Sequence, residues 1–128
     1  MRVIKIPHDI RISCTVHDVD QDKCLDQMKQ LISIEWAEIV LTILKDEDPH
    51  RDYCLIVDEV GKLKEGWIEK INPRASMFYA GTNHGDPIVG DVILCARQWI
   101  ENFGECDLAG LTDPEIKGLK YLMLDITP

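Results

Sequence analysis

Apolar and polar residues follow two different periods along this chain, and the switches between them outline its elements. Val3-Ile4-Lys5-Ile6 reads as a short strand closed by Pro7. Ile10, Ile12, Cys14 and Val16 then alternate with Arg11, Ser13, Thr15 and His17. A period of two puts one side of a strand in a core and the other in water, so the spacing predicts a strand over 10–17. Pro7-His8-Asp9 would join the two as a hairpin. At Leu25, Met28, Leu31 and Ile32 the period changes to one stripe of a helix. Asp18, Asp20 and Asp22 precede it, and carboxylates there satisfy free amides and suit the positive end of the helix dipole. This predicts a helix over 21–32.

The stretch 34–44 is β-branched and apolar, longer than one flat strand needs, with a slip of period near Ala37-Glu38. Either the strand begins at Trp36 or it holds a bulge. A charged loop over 45–52 leads to a second strand over 53–57. Asp58-Glu59-Val60-Gly61 reads as a bulged hairpin turn in which Gly61 supplies a positive φ, with Lys62-Leu63-Lys64 starting the return. Gly66 breaks that arm, so 67–71 reads as a short strand or an irregular crossing. The period of 74–80 fits a short strand or a helical turn. Gly81-Thr82-Asn83-His84-Gly85-Asp86-Pro87 is a loop, and 88–96 a buried strand in which Gly90 marks a bulge or a close backbone approach. Trp99, Ile100 and Phe103 form an apolar patch expected under a loop. The clearest signal is last: Thr112-Asp113-Pro114-Glu115 is a capping box, followed by the stripe Ile116, Leu119, Leu122, Met123.

Together these elements predict one domain over 1–128 of the α+β class: an antiparallel or mixed sheet of five or six strands, with two amphipathic helices packed mainly on one face. A chain of 128 residues buries roughly two-thirds of its unfolded surface, enough for a core without staples. The net charge of −9 splits into −4 and −5 between the halves, the even spread of a solvated surface rather than of a nucleic-acid mimic. No basic patch is visible, so neither nucleic acid nor an anionic membrane is an expected partner. Residues 1–7 hold no leader-like apolar run, and no run approaches a membrane span, so the expected location is cytoplasmic. Five cysteines, an odd number at irregular spacing, are expected as reduced thiols.

In order, Leu55-Ile56-Val57-Asp58-Glu59-Val60-Gly61-Lys62-Leu63-Lys64, Asn72-Pro73-Arg74-Ala75, Asp86-Pro87-Ile88-Val89-Gly90-Asp91-Val92 and Leu111-Thr112-Asp113-Pro114-Glu115 resemble a family of short phage, plasmid and conjugative-element proteins catalogued only as a domain of unknown function. The resemblance covers about residues 18–123. The chain departs from the pattern at Ser33-Ile34-Glu35, where the family has a glycine pair, and at an inserted charged turn over 46–51. The family has no assigned chemistry, so the resemblance implies an origin rather than a mechanism: a mobile element, acting in the cytoplasm of a bacterial host.

No reactive cluster stands out. Cys14, His17 and Cys24 make only half of a zinc site. Cys54 and Cys95 sit in apolar strands, Cys106 and Cys24 lie among acids, and Asp86 and Asp91 lack an evident partner base. No cofactor is expected. The leading expectation is a non-enzymatic protein that binds a host or element protein, as a counter-defence factor would, with Trp67 at the interface. The alternative is a module for a small anionic ligand, a nucleotide or signalling molecule, held by Asn72, Arg74, Asn83, His84 and Asp86. An enzyme of unrecognised class stands third, and a homo-oligomer is left open by the free edges of the sheet.

Overall fold

The computed structural model describes residues 1–79, 86–100, 105–122 and 125–127. In chain order these form β1 (Arg2–Ile6), β2 (Cys14–Asp18), α1 (Cys24–Leu31), β3 (Ala37–Lys45), β4 (Arg51–Asp58), α2 (Pro73–Phe78), β5 (Val92–Ile100), β6 (Glu105–Ala109), α3 (Asp113–Tyr121) and β7 (Ile126–Thr127). The class is α+β. The strands make one mixed sheet in the order β3-β4-β5-β1-β2-β7, with β6 continuing alongside β5. Every pairing is antiparallel except β2 with the two-residue β7. Among the described residues no helix is long and apolar enough to cross a membrane.

β4 and β5 each carry five consecutive buried residues, 53–57 and 92–96. Such runs belong to central strands covered on both faces, and the register Cys54↔Cys95, Leu55↔Leu94 sets them side by side. Alternate residues supply two cores. Tyr53, Leu55, Val57, Val92, Leu94 and Ala96 face α2 (Ala75, Phe78) and α3 (Ile116, Leu119). Cys54, Ile56, Ile93 and Cys95, with Val3, face α1 (Met28, Ile32). Two helices do share one face, but they are α2 and α3. The first amphipathic helix lies on the opposite face from the last, because Val3 and Ile4 point to opposite sides of β1 and each needs a cover.

Several local expectations give way to longer-range contacts. The strand predicted over 10–17 begins only at Cys14; Ile10 and Ile12 are exposed. Asp9 holds the intervening turn, accepting from the Arg11 backbone N–H at 2.9 Å and from its guanidinium at 2.8 Å. Gly61 opens a 3-10 turn (Gly61–Leu63) instead of a hairpin, and Lys62-Leu63-Lys64 is no strand. The left-handed glycines among the described residues are Gly66 (φ 75°), which starts a second 3-10 turn (Trp67–Lys70), and Gly90 (φ 84°), which lies ahead of β5 rather than inside it. The ambiguous stretch after Asn72 is helical, because the Asn72 carboxamide caps it and Pro73 occupies its first turn. The capping box of α3 is present in both directions.

Candidate functional site

One end of the sheet is open. There the end of β1, the C-terminus of α1, the end of β4 with its two 3-10 turns, and the approach to β5 surround a cleft of about 450 Å³. Its lining includes the imidazole of His8. The Asp91 carboxylate accepts from the His8 backbone N–H at 2.9 Å and from Nδ1–H of the same residue at 2.8 Å. A carboxylate only accepts, so this pairing puts a proton on Nδ1, and Nε2 has no partner among the described residues. Burial alone would raise the Asp91 pKa; the His8 hydrogen bonds and the charges of His8 and Lys5 outweigh it and hold the carboxyl below its ordinary value. Lys5 Nζ lies 3.9 Å from the same carboxylate.

Across the cleft the nearly buried Asp58 carboxylate pairs with Lys64 at 2.6 Å and accepts from the Val60 N–H at 3.1 Å. Trp67 contributes a half-buried ring to the lining, with Glu65 and Lys70 at the exposed rim. Neither rim charge has an ion-pair partner among the described residues. The α1 wall ends at Ser33, whose φ of 56° is left-handed. Hydrogen bonds from Ser33 N to Gln30 O (3.2 Å) and from Ile34 N to Lys29 O (3.0 Å) close the helix around it. Glycine suits that position.

The second feature begins beside the cleft and runs down β3. On the side facing α2, Val40 and Thr42 are 9% and 7% exposed. On the α1 side, Ile39, Leu41 and Ile43 are 44%, 48% and 52% exposed, and Trp36 ahead of them is 62% exposed. Ile39 and Leu41 pair with Ile56 and Cys54, which α1 covers; α1 stops short of β3. The result is a bare apolar lane one strand wide.

Of the residues singled out from sequence, Asn72, Arg74 and Asp86 fall outside the cleft. Asn72 is fully buried; its Oδ1 accepts from Ala75 N at 3.0 Å and its Nδ2 donates to Ile6 O and Gly90 O, both at 2.9 Å. Arg74 Nη2 is within hydrogen-bond distance of the carbonyls of Pro7 (2.8 Å), Asp9 (3.0 Å) and Ile12 (2.8 Å), so it staples the turn before β2 to α2. Asp86 pairs with Lys62 and lies 3.4 Å from the Tyr79 hydroxyl. Asn83 and His84 lie outside the described residues, as does the Cys106 side chain. Among the described residues of this set, Trp67 alone lines the cleft, and Trp36 is the more exposed ring. The base that Asp91 lacked in the sequence is His8, 83 positions away.

Cys54 and Cys95 are fully buried with sulfurs 3.6 Å apart, and the hydrogen bond from Cys54, then burial, drive the Cys95 pKa well above that of a free thiol. Cys14 is also buried, and among the described residues no three metal-ligating side chains cluster. No family model, curated protein or solved structure matches the chain.

Proposed function

We propose that this chain is a non-enzymatic binding protein whose protein partner lays an amphipathic helix along the bare lane of β3, beside α1. The observation that carries this reading is the contrast along one strand: Ile39, Leu41 and Ile43 are half exposed while the alternate residues Val40 and Thr42 are buried. A helix seated there would complete the layer that α1 begins. A partner strand is the poorer fit, because the outer rim of β3 is already bridged at Thr42 by Tyr79 and its register is irregular between Leu41 and Lys45. Charge argues against a second copy as the occupant. Each chain carries −9, and exposed Glu35 and Glu47 flank the lane in sequence, so a helix with basic ends is favoured. The resemblance to short mobile-element proteins supports a bacterial host or element protein as the partner, as in counter-defence by masking.

The test compares capture from bacterial cytosol by the wild-type chain and by Leu41→Glu. The expected result is one captured protein that the variant loses while keeping its melting temperature. Capture that survives Leu41→Glu, or turnover of a substrate with nothing captured, would overturn the reading.

A further inference from the structure

We propose that the cleft at the head of the sheet binds a nucleoside monophosphate. Four features of the cleft each match one part of that ligand. The half-buried Trp67 ring offers a flat apolar wall, and bases stack on aromatic faces whatever their identity. His8 Nε2, without a partner among the described residues while Asp91 takes Nδ1, can accept from an N–H of the base edge when the ring is neutral. Glu65, an acid without a partner among the described residues, suits the hydroxyls of a ribose. Lys70 is its positive counterpart, suited to a phosphate.

The internal pairings decide which charges are left over. Asp58 pairs with Lys64, and Asp91 is held by His8 and Lys5, so these two acids are answered within the protein. Glu65 and Lys70 are then the charges left without an ion-pair partner among the described residues, and Lys70 is the cation that can meet an anion. The cleft volume of about 450 Å³ also lies within the range of roughly 300–1,000 Å³ usual for small-molecule sites. This site is separate from the lane on β3, and either can fail without the other.

The experiment is calorimetric titration of the full chain with AMP, GMP, CMP and UMP, and with inorganic phosphate. At least one nucleotide should bind saturably. Trp67→Ala should weaken it about tenfold or more, the stacking contribution of one base. Lys70→Ala, an exposed change with no packing consequence, should weaken it too and serves if Trp67→Ala fails to fold. Leu41→Glu should leave nucleotide binding unaltered. The proposal is overturned if none of the four binds, if inorganic phosphate binds as tightly as the best nucleotide, or if a folded Lys70→Ala protein binds like wild type.

Discussion

The two faces of the sheet are finished to different degrees. On one, α3 is fixed at its start by a reciprocal capping box and by a buried cluster in which Arg51 donates to Glu115 at 2.7 and 3.0 Å, Tyr53 donates to Glu115, and Asp46 lies 2.9 Å from the same hydroxyl. Burial would raise the Glu115 pKa, yet the hydrogen bonds from Arg51, Tyr53 and the Thr112 N–H hold it at about 2. Burial first, and those carboxylates second, push the Tyr53 phenol far above its ordinary value. On the other face, α1 has no side-chain cap at its start, ends in a left-handed serine, and leaves β3 bare. Stability is concentrated where α2 and α3 sit, and unspent apolar surface lies beside α1, where a partner can use it.

Three experiments can break or sharpen that contrast. Leu55→Ala, in the core under α2 and α3, should cost about 3 kcal/mol in urea unfolding, whereas Leu41→Ala in the lane should cost under about 1 kcal/mol. Equal losses would mean that both faces are packed alike. Next, the depressed pKa of Glu115 supplies stability that is complete above pH 4.5 and is lost as the pH falls toward 2. Unfolding midpoints should therefore decline over that interval by a contribution of about 2 kcal/mol, and Glu115→Gln should flatten that part of the profile. An unaltered profile in the variant would show that α3 has no electrostatic anchor. The smallest effect is Ser33→Gly, which relieves the left-handed position at the end of α1. It should raise stability by roughly 0.5–1 kcal/mol, and a loss would show that the serine side chain has a structural duty of its own.

What could be read from the sequence was local. The strand at 3–6, the helix after Lys23, the apolar runs of β4 and β5 and the capping box at Thr112 all carry their instructions within a few residues. The run from Ile10 to Val16 misled, because its alternation continues through a turn that Asp9, Arg11 and the distant Arg74 hold in place. Gly61 misled in the same way: a glycine announces freedom but not which turn will use it. Site chemistry was least legible, since its pairs join remote positions, His8 with Asp91 and Arg51 with Glu115. Asn72 and Arg74 were noticed for their donors, yet those donors engage backbone carbonyls that no local pattern reveals. The alternation in β3 was visible, but not which of its sides the helices would leave uncovered.

The small bridge between Thr42 and Tyr79 has an outsized consequence. An apolar strand at the rim of a sheet is the usual seed for end-on growth, each molecule lending its unpaired amides to the next until filaments form. Here the middle of that rim is already engaged, its register is broken toward Lys45, and the opposite rim is a strand of only two residues. That rim of β3 can therefore display a greasy face to a visitor while being a poor template for edge-to-edge growth.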